Sequence, residues 1–418
     1  VVDIVVVLRA EDAVLDFLSV LTDDQGGETR VILGDRAEML TLPAGTDTSE
    51  RLALLAPHVR PVTGGITAPG PEVLAGLLRR AGAGRGLQDG PDAHDGQSPE
   101  TVRIWTHSPA DNRRSRGRLG RDTALARGLL DGGGDGGGDG GAGEDGPPLR
   151  HAVGYSPYLQ FLSDLDRPLT RSRVAAKLDF VNHACGHLLT EEDPDYVVQT
   201  ARIPAAERFF DADPGERERL YALLASLDDE AASVEDPWEF GSSPYEEQRL
   251  DATAEWVRDH CAGAGGLLVE VGACEGALTH RLAAAGFSVR ATEPNAAFRT
   301  RLGSAFAGSG AVTVDGADLA ELAKEDGPPR ATAHLLIEML YYGQDLALLD
   351  GLATDLVFVA LEPDTLASQV RPWLERSTVW RADEEVVLVP PRVETVCAGR
   401  AYLSKRGSVG LLLRRTAG

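Results

Sequence analysis

Short apolar runs alternate with helical and loop-like sequence along most of the chain. Val2-Asp-Ile-Val-Val-Val-Leu8 is almost purely apolar and β-branched, which predicts a buried parallel strand. Val14, Phe17, Leu18 and Leu21 then recur at helical intervals across Ala10–Leu21, and Thr29–Leu33 resumes a strand. Val102-Arg-Ile-Trp105 and residues 151–155 predict further strands. Residues 158–227 read as mostly helical, with Leu220, Leu223, Leu224 and Leu227 on one face. The later half repeats the succession. Leu267–Val271, apolar but for Glu270, runs into Gly272 and Gly276 and a helical stretch over 277–285, so a buried strand should turn sharply into a helix. Strand-like runs ending in acids follow at 287–293, 312–318, 333–338 and 356–362, and residues 385–397 with 408–415 predict an antiparallel hairpin.

At 418 residues the chain exceeds one ordinary core. The two successions predict an α/β protein of two doubly wound, Rossmann-like domains, over 1–230 and 231–418. The Gly/Asp tract 131–146 reads as a flexible loop inside the first domain, because a strand-like run resumes at 151, and residues 90–99 read as a shorter loop. A formal charge of −24 disfavours nucleic acid and an anionic membrane as partners. Arg113, Arg114, Arg116, Arg118 and Arg121 form a cluster that reads as a local basic patch or a solvated helix face. The four cysteines are far apart and show neither metal-ligand nor disulfide spacing, so no metal is expected and a reducing cytoplasm fits. No run reaches membrane-spanning length and no basic-then-apolar leader opens the chain. The chain starts at Val1, so removal of an earlier segment stays open, as does association into a homo-oligomer.

The turn Gly272-Ala-Cys-Glu-Gly276 can bring backbone amides close to a ligand, although it lacks the middle glycine of the dinucleotide fingerprint. Glu293, at the next strand tip, stands where a carboxylate takes a pair of ribose hydroxyls. The element order over 236–416 resembles the class I S-adenosylmethionine-dependent methyltransferase fold, which implies a seven-stranded sheet. Two stretches are similar to the nodulation protein S family, which N-methylates amino sugars: Pro237-Trp-Glu-Phe-Gly-Ser-Ser-Pro-Tyr-Glu-Glu-Gln-Arg249 and Ile337-Glu-Met-Leu-Tyr-Tyr342. The resemblance implies S-adenosyl-L-methionine as cofactor. Gly272, Ala273 and Gly276 would admit its methionine part, with Glu270 anchoring the turn or the amine. Glu293 would hold the ribose, and Pro294 would shape the adenine slot. Asp318 would accept the adenine amino group, Leu319 would pack on the ring, and Ile337 would border the site. Trp238, Phe240, Tyr245 and Arg249 would form a lid, Arg249 meeting the methionine carboxylate. Glu338, Tyr341 and Tyr342 occupy the place of a group that orients the acceptor and takes its proton. Each acid has a second reading as a helix cap or solvated loop tip, and Trp238 and Phe240 as ordinary packing.

A second resemblance covers the first domain. The opening strand, Thr106-His-Ser-Pro-Ala-Asp-Asn112 and Lys177-Leu-Asp-Phe-Val-Asn-His183 look like the PIG-L/LmbE family of zinc-dependent N-acetyl-sugar deacetylases. Where that family needs metal ligands and a carboxylate base, this chain has Arg9-Ala-Glu-Asp12 and Arg113-Arg-Ser-Arg116. A guanidinium has no free lone pair and cannot ligate zinc. The resemblance therefore implies a deacetylase-like domain that has lost its catalysis, with His107, His183 and His187 as packing or surface residues.

Together these readings predict a methyltransferase acting on a small-molecule amine of amino-sugar type. An O-methyltransferase of natural-product biosynthesis and a non-catalytic cofactor-binding module stand as alternatives.

Overall fold

The computed structural model describes residues 1–23, 27–61, 66–83, 101–131, 146–154, 156, 159–189, 203–225, 230–261, 266–325 and 330–416. The chain divides into two compact units, Val1–Leu224 with Cys397–Ala401, and Ala225–Val396 with Tyr402–Gly418. The loop expected over 90–99, and that over 131–146 apart from its end residues, lie outside the described residues. Among the described residues, no helix is long and apolar enough to cross a membrane.

The first unit runs β1 (Val2–Val7), α1 (Ala10–Leu21), β2 (Thr29–Leu33), β3 (Glu38–Leu42), α2 (Thr48–Leu55), α3 (Pro71–Arg80), β4 (Val102–Thr106), α4 (Arg114–Asp131), β5 (Leu149–Ala152), β6 (Gln160–Phe161), β7 (Leu165–Pro168), α5 (Arg171–Ala184), β8 (Ala206–Phe210) and α6 (Pro214–Ala225). Its seven-stranded sheet has the order β3-β2-β1-β4-β5-β8-β7. β2, β1, β4 and β5 are parallel, while β3, β8 and β7 join antiparallel to a neighbour or to each other. Strand alternation divides β1 between two cores: Val5 and Val7 pack with Phe17 and Phe209, and Ile4 and Val6 pack with Leu74 and Leu119. Asp3 interrupts that apolar strand because its carboxylate accepts from Arg103 Nε at 2.8 Å and Trp105 Nε1 at 2.7 Å.

The helical reading of 158–227 is corrected here, since β6, β7 and β8 all fall within it. A charge hid β8. Buried Glu207 sits inside the strand, where it accepts from the Leu18 and Ser19 amides at 3.0 and 2.7 Å and from Lys177 Nζ at 2.7 Å.

The second unit runs α7 (Pro244–Cys261), β9 (Leu267–Val271), α8 (Ala277–Ala284), β10 (Ser288–Thr292), α9 (Ala296–Ala305), β11 (Val312–Asp315), α10 (Leu319–Leu322), β12 (Ala333–Ile337), β13 (Leu356–Leu361), β14 (Trp380–Val389), β15 (Arg392–Val396), β16 (Ala401–Lys405) and β17 (Ser408–Arg415), with further short helical turns between β12 and β14. The sheet is again seven-stranded, in the order β11-β10-β9-β12-β13-β17-β14, and the unit is a Rossmann-like class I fold. Five strands are parallel, and β17 runs antiparallel between β13 and β14. The hairpin expected from 385–397 is shifted. β14 starts at Trp380 and ends at Val389, Pro390 and Pro391 break it because proline has no amide proton for the ladder, and β15 is a separate strand.

Candidate active site

The carboxyl ends of β9, β10 and β12 bring the predicted residues to one edge of the second sheet. After Val271 the backbone turns left-handed three times within five residues, at Gly272 (φ +71°), Cys274 (φ +52°) and Gly276 (φ +89°). Cys274 thus fills the position whose missing glycine made the fingerprint incomplete. At Gly276 the lack of a Cβ serves packing as well, since a Cβ there would lie 2.6 Å from Leu302 and 2.7 Å from Phe306. Glu270 is buried, and Thr279 Oγ1 donates to it at 2.6 Å, so it ties the strand to α8. Burial pushes its pKa up to about 7 against the pull of that hydroxyl.

Glu293 is held by two backbone amides, Cys274 N–H on Oε2 at 2.9 Å and Asn295 N–H on Oε1 at 2.8 Å. Burial raises its pKa while those two bonds work the other way. Each oxygen keeps a lone pair for a further donor. Pro294, next to it, is exposed. Neither amide donor was legible in the sequence, because a backbone group carries no residue-type signal.

The segment upstream of α7 is an irregular turn. Asp236 and Glu239 adopt positive φ (+45° and +58°), the Asp236 carboxylate accepts from the Phe240 and Gly241 amides at 2.7 and 2.9 Å, and Glu275 accepts from the Asp236 amide. Trp238 stacks on Phe240 and lies against Phe298. On α7, Arg249 Nε donates to Glu246 at 2.8 Å, and among the described residues its two Nη groups have no hydrogen-bond partner. Burial lowers the Arg249 pKa, but Glu246 and Glu338 outweigh it and raise it. Tyr245 has its ring near Lys405 Nζ (5.3 Å) and the Arg392 guanidinium (5.2 Å). Two cations of the chain itself thus lie near one of the rings expected to form the lid.

At the tip of β12, Glu338 again takes a left-handed backbone (φ +53°). Ser408 Oγ donates to its Oε1 at 2.6 Å and Tyr341 OH to its Oε2 at 2.5 Å. Burial raises the Glu338 pKa, opposed by Arg249 and by the two hydroxyls. Ile337 ends β12, partly buried. Tyr342 closes the short 3₁₀ turn Leu340–Tyr342, and its side chain lies outside the described residues. Asp318 is the N-cap of α10, accepting from the Glu321 amide at 2.8 Å in a reciprocal capping box, which is the alternative reading of that acid. Leu319 is buried in the core with Val271, Leu336 and Met339.

In the first unit, the arginine cluster is neither a basic patch nor a solvated face. Arg116 is buried and sends Nε and Nη2 to Asp12 Oδ1, both at 2.8 Å. Arg113 bridges Asp111 (2.6 Å) and Asp16 (3.0 Å), Arg121 meets Glu218, and Arg114 lies over the Tyr221 ring. Arg9 pairs with Glu11 at 2.5 Å and lies 2.9 Å from His187 Nε2. Burial acts to raise the Asp12 pKa, yet the Arg116 guanidinium beside it holds that carboxyl well below the usual range. His107 is buried 3.6 Å from Asp12, and His183 is exposed. Among the described residues, no three His, Cys, Asp or Glu side chains are grouped as a metal ion would require.

The family model for nodulation protein S (NodS) matches residues 224–367. Solved structures similar to this chain include the N-methyltransferase NodS from Bradyrhizobium japonicum WM9 with S-adenosyl-L-homocysteine, at 15% identity, covering 44% of this chain and 95% of that one with a TM-score of 0.33. Magnesium protoporphyrin IX methyltransferase (ChlM) from Synechocystis PCC 6803 with bound SAM is 16% identical, over 41% and 79% with a TM-score of 0.32. The glycopeptide N-methyltransferase MtfA with SAM is 12% identical, over 40% and 94% with a TM-score of 0.30. No curated protein matches. The segment 224–367 matches the nodulation protein S family model, and that segment is an S-adenosylmethionine-dependent methyltransferase.

Proposed function

We propose that the second unit methylates the amine of a small molecule of amino-sugar type, with Glu338 as the group that receives the acceptor's proton. The observation that carries this reading is the Glu338 carboxylate, set at the tip of β12 on a left-handed backbone with a donor on each oxygen. An amine must present a free lone pair, and a nearby carboxylate both orients it and takes its proton. The nodulation protein S match over 224–367 supports methyl transfer, and the amino-sugar acceptor is what the resemblance to that family implies.

The residues present fit the cofactor. The lone pairs left on Glu293 suit two adjacent ribose hydroxyls, and the Nη groups of Arg249, without a hydrogen-bond partner among the described residues, suit a carboxylate. Bound there, S-adenosylmethionine supplies a methyl carbon on a sulfonium, and the electron pair of the broken C–S bond stays on sulfur as the amine lone pair forms N–CH3. Glu338 receives the proton that the amine nitrogen gives up, and most of the remaining rate comes from holding the reactants in line.

For the first unit, the deacetylase-like reading without catalysis is supported by Arg116 sitting on Asp12, which places a fixed cation where the resemblance calls for a metal. A zinc-dependent deacetylase activity of the purified protein would overturn it.

The test of the main reading incubates the full chain with S-adenosylmethionine and a panel of amino sugars, each paired with its N-acetyl derivative. Release of S-adenosylhomocysteine with the free amines and not with the acetylated partners is expected. Equal release from both members of each pair would favour hydroxyl methylation.

A further inference from the structure

Glu338 could stand at the tip of β12 as a carboxylate satisfied by whatever lies nearby, but its surroundings are more ordered than that. Its backbone amide donates to Ala360 O at 2.9 Å, which pins a φ of +53° that side chains rarely adopt. The Glu362 amide donates to Tyr341 OH at 2.9 Å, so that oxygen is already an acceptor and its own proton is directed at Glu338 Oε2. The other donor, Ser408, comes from the first residue of β17. It is 1% exposed and reaches Oε1 at 2.6 Å across 70 positions of sequence. Arg249, on α7, influences Glu338 by its charge without a hydrogen bond to it.

We propose that Ser408 and Tyr341 are positioning residues for methyl transfer: one hydroxyl on each oxygen of Glu338 fixes the carboxylate so that its remaining lone pairs face the acceptor amine. This rests on Glu338 as proton acceptor in the reading above. A carboxylate oxygen has two in-plane lone pairs, and a donor on each oxygen leaves one per oxygen for the substrate. The hydroxyls also favour the charged form, which a buried carboxyl needs if it is to accept a proton. The other charged or titratable groups around Glu338 are Arg249, Glu246 and Tyr245 of α7, with Glu362 reached through Tyr341 and paired to Arg406 at 3.1 Å.

The test titrates Glu338 in the full-length protein, carrying glutamate labelled with carbon-13 at Cδ and with the resonance assigned by its loss in Glu338→Gln. Ser408→Ala and Tyr341→Phe should each raise the Glu338 midpoint by about one pH unit or more, because each removes a donor to the charged form. Ser408→Thr, which keeps the hydroxyl, should restore it. In turnover with the amine found above, kcat should fall by about tenfold in each donor-deleted variant, KM should hold, and the acidic limb of the pH profile should move up with the midpoint. S-adenosylhomocysteine affinity, measured by calorimetry, should stay unchanged, which separates the effect from misfolding. Midpoints unmoved in both variants, or Ser408→Thr behaving as Ser408→Ala, would overturn the proposal. Full turnover by Glu338→Gln would instead sink the proton-acceptor reading, whereas an inactive Glu338→Gln with unmoved hydroxyl variants sinks the positioning role alone.

Discussion

Both units place their first strand third in a seven-stranded sheet and extend from it in two directions, β3-β2-β1-β4-β5 in the first and β11-β10-β9-β12-β13 in the second. Each therefore has a crevice at the strand tips where the order reverses, the usual ligand position in an open α/β sheet. The two crevices are filled differently. Beyond β1 and β4, Arg9, Glu11, Asp12, Asp16, Asp111, Arg113 and Arg116 are spent on one another. Beyond β9, β10 and β12, among the described residues, Glu293 keeps a lone pair on each oxygen, Arg249 keeps its Nη donors, and Cys274 and Glu338 hold left-handed backbones. Equal architecture thus leaves function to be decided by whether the tip groups are consumed within the fold. Backbone strain marks the crevice where they are not.

The largest expected effect tests the closed crevice. Arg116→Ala leaves Asp12 buried without its principal partner, and breaking a buried pair by removing one member costs about 3–5 kcal/mol. Calorimetric unfolding should show that loss in the transition of the first unit. Asp12→Asn combined with Arg116→Met should recover most of it, since removing both charges removes the uncompensated one. A loss no larger than that of an exposed arginine would mean that the crevice is not held shut by this pair.

The second effect concerns the open crevice and is a pH dependence. Burial raises the Glu270 pKa from 4.5 to about 7, so the folded state holds this proton more tightly than the unfolded state does. The associated stability is complete below about pH 4.5 and is lost as pH rises through about 7, a change on the order of 3 kcal/mol. Denaturation of the wild type between pH 5 and 8 should show this decline. In Glu270→Gln, which keeps an acceptor for Thr279, the Glu270 contribution to that slope should vanish.

The parts that the sequence made legible are those written locally. The run Leu267–Val271, the turn at Gly272 and the acids at 293 and 338 lie within a few residues of the strand whose tip they occupy. Pairings made across the fold left no such trace. Ser408 is one serine at a strand start, and Arg116 meets Asp12 from 104 positions away, so a row of arginines read as a surface. At Asp318 an acid at a strand tip and an N-cap look alike in sequence, and only the fold shows the Glu321 amide pointing at its Oδ1. Glu207 hid β8, since a charge inside a strand is admissible only with partners supplied by α1 and α5.

The smallest expected effect sharpens the link between strain and the open crevice. Cys274 takes φ +52° at the position where the dinucleotide fingerprint has glycine, and its amide donates to Glu293 at 2.9 Å. A left-handed L-residue costs about 1–2 kcal/mol, and a glycine there would lose roughly 0.5–1 kcal/mol in chain entropy, so Cys274→Gly should change stability by less than about 1 kcal/mol, toward gain. Cys274→Val should move the other way, because a β-branched side chain resists this conformation. If the amide must stay on Glu293 for the ribose site to keep its shape, the valine variant should also lose S-adenosylhomocysteine affinity while the glycine variant keeps it. Equal affinity in the two would show that the left-handed turn belongs to the fold of the strand end and not to the gripping of the cofactor.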